Sequence, residues 1–275
     1  MTESGKRDQA VRGAGVHRGR TQPTVKPDPP AWLKALGRQE LPETIACHGV
    51  TYQRVQVFKH DFFAATGLYR SHQGLAVYKV GRVADLFGFP MAWLGKWLCR
   101  REAQAYQRLQ DLDGVPGYVG LAGENGFLHE FLPGHVLQRY ERVGDEFFAR
   151  LEKLLGEVHA RDMAYVDLEK RENILVGDDG RPGLIDFQIS WYWPLEWGGG
   201  TAPARWLLRR FQESDRYHQL KHWRRHRPDQ LTEEDMARSR RKPAYIHLLT
   251  WITRPFTRLR RRTLQRLEPG RAGAV

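Results

Sequence analysis

From Ile45 to Val83 the chain alternates short apolar and polar runs, TYQRVQVFKHDFFAATGLYRSHQGLAVYKVGR, broken by glycine-containing turns, and this predicts a group of strands. The period then changes. In WLGKWLCRREAQAYQRLQDL the residues Trp93, Trp97, Leu98, Ala105, Leu109 and Leu112 recur at three- and four-residue intervals, which predicts a helix with these side chains on one face. GVPGYVGLAGENGFLHEFLPG reads as two more short strands with turns. Phe147, Phe148, Leu151, Leu154, Leu155 and Val158 then follow the 3.6-residue period of a second amphipathic helix. Strands, helix, strands, then mostly helix is the order of an α+β protein with a small sheet-rich lobe ahead of a helical one. The segments fall at 1–30, a leader rich in glycine, proline and basic residues; 31–132, the β-rich lobe; 133–243, the helical lobe; and 244–275, a basic amphipathic end.

Charge sharpens the last boundary. Residues 205–275 hold 19 Lys and Arg against 7 Asp and Glu, so the whole net charge of +12 lies in the C-terminal quarter of the 275 residues. Such a segment attracts phosphate-rich partners. Two cysteines, Cys47 and Cys99, build no disulfide framework. The leader lacks the apolar region of a signal peptide, and the longest apolar stretch, Leu86 to Leu98, is too short to span a bilayer and contains Lys96. These features predict a cytoplasmic protein, soluble or peripheral to a membrane.

The stretch YVDLEKRENILV, with IDF ten residues on, carries the chemistry. Phosphoryl transfer to an alcohol needs a carboxylate to orient the hydroxyl, oxygen ligands for Mg²⁺ and a cation for the phosphates of ATP. Asp167 suits the first role and Asn173 and Asp186 the second. Lys79, on the strand LAVYKV, suits the third, with Glu102 on the following helix placed to pair with it. The apolar ILV and GLI runs, joined by GDDGRP, predict two short strands that hold the metal ligands side by side.

VHARDMAYVDLEKRENILVGDDGRPGLIDFQ resembles the catalytic segment of the protein-kinase-like superfamily, with His159 eight residues before Asp167 and Asp186 thirteen after Asn173. Ala76 to Lys79 resembles the A-x-x-K strand of that superfamily, Glu102 stands where its helix glutamate belongs, and FLHEFLPG resembles its hinge. The resemblance covers roughly residues 50–190 and implies a two-lobed fold that binds ATP and Mg²⁺. It further implies that the backbone at Glu130 and Leu132 meets adenine and that Thr66 and Gly67 lie at the phosphates.

The departures are specific. Asn173 follows Asp167 by six residues where the family has five, Tyr165-Val166 replaces His-Arg, and Asp186-Phe187-Gln188 replaces Asp-Phe-Gly. Only Gly67 and Gly74 stand where a glycine-rich loop belongs, and no Ala-Pro-Glu follows. Short chains with these features look most like the bacterial lipopolysaccharide-core kinases, which phosphorylate Kdo or heptose sugars, and next most like RIO-type kinases.

That resemblance implies a lipid-linked sugar hydroxyl as acceptor; the alternatives are a protein hydroxyl, as in a RIO-like serine/threonine kinase, or a catalytically weak binding module recruited to membranes. AYIHLLTWITRPFTRLRRRTLQRL interleaves apolar residues with arginines, a composition suited to an anionic membrane surface, where the indoles of Trp93 and Trp97 would also dip. The competing account places these aromatics in the core with the arginines solvating it. The charge also permits nucleic acid, but no recognition motif accompanies it. His218, His222 and His226 recur every four residues beside Arg224, Arg225 and Arg227, which predicts a cationic helix face rather than a metal site.

Overall fold

The computed structural model describes residues 30–86, 88–192 and 200–241. The leader and the basic segment 244–275 therefore lie outside the described residues.

Four strands open the fold: β1 (Thr44–Cys47), β2 (Val50–His60), β3 (Ala64–Ser71) and β4 (Gly74–Gly81). Helix α1 (Ala92–Leu109) follows, then β5 (Tyr118–Ala122) and β6 (Gly126–Glu130). These strands form one antiparallel sheet in the order β1-β2-β3-β4-β6-β5, because each hairpin alternates its residues between two faces. On one face Ala65, Tyr69, Ala76, Tyr78 and Val80 pack against Leu36, Leu41 and Tyr52 and form a small core of their own. On the other, Thr66 stands directly opposite Lys79.

The second lobe holds β7 (Gly134–Val136), α2 (Phe147–Ala160), β8 (Met163–Ala164), β9 (Ile174–Gly177), β10 (Pro182–Leu184), β11 (Trp191–Tyr192), α3 (Ala202–His226) and α4 (Glu233–Arg240). Helix α2 buries Phe147, Phe148, Leu151, Leu154, Leu155 and Val158, the face its periodicity predicts. β9 and β10 form the hairpin expected around GDDGRP. The α+β order read from the sequence is thus the order of the fold.

Two side-chain patterns differ from expectation. Trp93 and Trp97 are 67% and 53% exposed, and the buried face of α1 is Gly95, Cys99, Glu102, Tyr106 and Leu109. The cause is contact with the sheet: a Cβ on Gly95 would lie 2.0 Å from the Arg82 carbonyl oxygen, so helix and strand touch backbone to backbone there. With Gly95 fixed against β4, Glu102 two turns later faces the sheet and the tryptophans face outward. His218, His222 and His226, expected on a cationic surface, are buried. His222 Nε2 donates to the Leu168 carbonyl at 2.8 Å, and His226 Nδ1 lies 2.8 Å from the Glu141 carbonyl, so this face of α3 holds the second lobe together.

Candidate active site

Lys79 extends from β4 between two carboxylates. Its ammonium bonds Glu102 Oε1 at 2.8 Å and Asp186 Oδ1 at 2.7 Å, which joins helix α1, the sheet and the loop after β10 at one atom. Burial pushes the Glu102 carboxyl up to about 7 against the pull of Lys79. Burial alone would raise Asp186 too, but Lys79, with Lys170 and Lys59 acting from farther off, holds it at about 2, so Asp186 is a carboxylate at neutral pH.

The loop after Asp167 closes in two stacked turns. Lys170 N–H donates to the Asp167 carbonyl and Asn173 N–H to the Lys170 carbonyl, each at 3.2 Å. Asn173 is thereby turned back on Asp167, with its Nδ2 3.1 Å from Asp167 Oδ2. Lys170 Nζ bonds the same oxygen at 2.6 Å. Ile185 N–H donates to the Asn173 carbonyl at 3.1 Å, so the residue before Asp186 is tied to this loop. Burial raises the Asp167 carboxyl above the ordinary range, opposed by Lys170 and Asn173 and reinforced by the charge of Asp186. A raised pKa suits a carboxylate that handles a proton.

Two non-glycine residues here have left-handed backbone: Val166 with φ +71° and Asp186 with φ +63°. For a β-branched residue such as Val166 this conformation is costly and persists only when neighbours enforce it. Asp215 enforces it. Fully buried on α3, its carboxylate accepts from Tyr165 N–H at 2.7 Å and Val166 N–H at 2.8 Å, and lies 3.0 Å from His159 Nε2. At Asp186 the N–H donates to the Tyr106 hydroxyl at 3.2 Å, and Phe187 is wedged between Tyr106 and Tyr165, 5.1 Å from each ring centre. Sequence reasoning passed over Asp215, Tyr106 and Lys170. Lys170 lay inside the quoted motif, whereas Asp215 sits 50 residues from Tyr165 with no local pattern to mark it.

The remaining expected residues are more scattered. Half-buried Thr66 shares the sheet face of Lys79. Gly67 lies within β3 on the core face, where a Cβ would come within 3.0 Å of Leu41 Cδ1 and Gln56 O, and it is not brought to the Lys79 cluster. Glu130 ends β6, its N–H donating to the Gly117 carbonyl at 2.8 Å. Leu132 lines a cleft of about 290 Å³ with Pro133, Leu175 and Gly183.

Asp186 offers carboxylate oxygens and Asn173 an amide oxygen, both hard donors. Mg²⁺ is characteristically held by one or two such ligands together with phosphate oxygens and water, so the donor chemistry fits that ion. Among the described residues no group of three or more His, Cys, Asp or Glu side chains gathers into a metal cage.

No protein-family model matches the chain, and no curated protein matches it. Among solved structures it is similar to the Rio2 kinase ADP/Mg²⁺-phosphoaspartate complex from Chaetomium thermophilum, with a TM-score of 0.48 and 13% identity over 66% of this chain and 58% of that one. It is also similar to the Rio2 kinase from the same organism, with a TM-score of 0.47 and 13% identity over 63% and 58%. The chain spans less than three fifths of those proteins.

Proposed function

We propose that this chain is a phosphotransferase that moves the γ-phosphoryl group of ATP, with Mg²⁺, to a hydroxyl of a lipid-linked sugar at an anionic membrane surface on the cytoplasmic side. The observation that carries the transfer reading is the three-way contact of Lys79 with Glu102 and Asp186, beside an Asp167 carboxylate held by Asn173 and Lys170. Glu102 fixes the ammonium of Lys79, which then meets phosphate oxygens without further ordering. Asp167 accepts a hydrogen bond from the acceptor hydroxyl and orients its oxygen. Asp186 and Asn173 would hold Mg²⁺, which when bound supplies charge neutralisation at the phosphates. Lys170, reaching Asp167 from a half-exposed position, neutralises charge where the phosphoryl group is exchanged. In this reading Thr66 lies on the phosphate side, Gly67 takes no part, and the backbone at Glu130 and Leu132 lies on the adenine side.

The outer face of α1 supports the membrane part of the reading. Phe89, Trp93 and Trp97 are exposed, and Arg101 lies 5.6 Å from the Trp97 ring and 5.9 Å from that of Trp191. Exposed indoles with guanidinium groups suit an interface where apolar burial and attraction to anionic headgroups add. No described helix is long and apolar enough to cross a membrane.

The test is transfer of label from γ-labelled ATP, with Mg²⁺, into separated lipid and protein fractions, with Asp167→Asn alongside. Label in lipid, lost in the variant, is the expected result. Label in protein alone overturns the sugar acceptor in favour of a protein hydroxyl, and no transfer by folded protein overturns the enzyme reading.

A further inference from the structure

Backbone N–H groups at the tip of a glycine-rich hairpin ordinarily cradle phosphate, because glycine lets the main chain approach closely. The β2–β3 turn of this chain has no glycine and uses those groups internally. Asp61 Oδ1 accepts from both Phe63 N–H and Ala64 N–H at 2.9 Å, and Asp61 N–H donates to the Ala64 carbonyl at 3.0 Å. Arg82 locks the turn from beneath: its Nη1 donates to the Phe62 carbonyl at 2.9 Å, and its guanidinium lies 4.2 Å from the centre of the Phe62 ring. A phosphate approaching this tip meets a carboxylate where other hairpins offer donors.

One residue earlier the strand supplies a substitute. The pairing of β2 with β3 slips by one residue between Val57 and Lys59, so that Lys59, not Phe58, stands opposite Thr66. Without this bulge Lys59 would oppose Ala65 and point at the small core; with it the lysine is re-aimed to the other face. Thr66 in turn stands opposite Lys79, so Lys59, Thr66 and Lys79 form one row across three strands. Two strand spacings put the backbones of the lysines roughly 10 Å apart, within reach of a single triphosphate. Lys59 is 62% exposed and pairs with Asp61 Oδ2 at 2.5 Å, leaving two of its three donors for a ligand.

We propose that Lys59 binds phosphoryl oxygens of a nucleoside triphosphate from above the site, opposite Lys79, in place of the N–H groups of a glycine-rich loop. Asp61 competes for the same ammonium and so weakens triphosphate binding. This rests on the nucleotide reading above but not on the identity of the acceptor.

Titration calorimetry with Mg·ATP and with adenosine, on the parent, Lys59→Met, Lys59→Arg and Asp61→Asn, tests it. The asparagine keeps the oxygen that holds the Phe63 and Ala64 N–H groups. Lys59→Met is expected to weaken Mg·ATP about tenfold, the worth of one charge-assisted contact, while adenosine stays within about twofold. Lys59→Arg should retain most of the affinity, and Asp61→Asn should tighten Mg·ATP by about threefold as one competing surface ion pair is removed. Equal Mg·ATP affinity in the parent and Lys59→Met, with adenosine bound by both, overturns the role of Lys59 and leaves the nucleotide reading standing. A parent that binds neither ligand overturns both.

Discussion

Asp215 is the residue whose removal separates the shape of the Asp167 loop from the Lys79–Glu102–Asp186 cluster. Its carboxylate is fully buried and serves three groups: the N–H of Tyr165, the N–H of Val166 and the imidazole of His159. Asp215→Ala strands all three, and at about 1–3 kcal/mol per buried unsatisfied group the gross loss is several kcal/mol. Relaxation of Val166 from its left-handed backbone returns about 1–2 kcal/mol. The net expectation is about 3–5 kcal/mol in urea unfolding at 25 °C. Asp215→Asn keeps the volume and one acceptor oxygen but turns an amide N–H₂ toward a donor, and should cost about 1–3 kcal/mol. Because Val166 immediately precedes Asp167, its relaxation moves that carboxylate. Lys79 keeps Glu102 and the Asp186 N–H keeps the Tyr106 hydroxyl, two ties to α1 that do not pass through Asp215. Nucleotide affinity of folded Asp215→Asn should therefore remain within about twofold while transfer falls about a hundredfold, the scale of a misplacement near 1 Å. A loss below about 1 kcal/mol in Asp215→Ala refutes the assignment of the loop's shape to this carboxylate.

Three further outcomes follow from the same geometry. His222 is buried with its pKa lowered to about 4, chiefly by desolvation, and its Nδ1 has no partner. A depressed histidine contributes stability that is fully present above its unfolded pKa near 6.5 and is lost as pH falls toward 4. His222→Gln, which can donate the same bond to Leu168 without a charge, should shift the stability difference in its own favour by about 2 kcal/mol between pH 7.5 and 5 in paired melts. Gly95→Ala drives a methyl into the Arg82 backbone and should cost about 2–4 kcal/mol by forcing α1 off β4, with weaker nucleotide binding as Glu102 leaves Lys79. Asp186→Asn should abolish transfer yet leave thermal stability close to the parent, because Lys79 keeps Glu102; retained transfer sinks the metal-ligand assignment.

The parts of this fold legible in the sequence are those set by near neighbours. Helix α2 announces its buried face because Phe147 to Val158 are packed by apolar contact alone. Helix α1 does not, since its inward stripe contains a glycine chosen for close approach and a glutamate chosen for Lys79, and the most apolar side chains, Trp93 and Trp97, are outside. The spacing of Asp167, Asn173 and Asp186 is readable because two tight turns join the first pair and one hairpin, β9–β10, joins the second. Asp215 and the histidines of α3 act across 50 residues or more, and the bulge that turns Lys59 depends on how two strands slip, which no local period records.

The two left-handed residues mark where this site carries its backbone strain. Gln188 follows Phe187, and the positive φ falls on Asp186 itself. The resulting strain is held by the Tyr106 hydroxyl on the Asp186 N–H and by the burial of Phe187 between two tyrosines, one on α1 and one in the Asp167 loop. Tyr165, in turn, donates its hydroxyl to the Ile185 carbonyl and its N–H is held by Asp215. Each carboxylate is therefore fixed by a side chain of a different helix, Asp167 through α3 and Asp186 through α1, and the two loops are locked to each other through Tyr165. Such cross-bracing holds the two carboxylates at a fixed spacing, which is what a site acting by positioning needs.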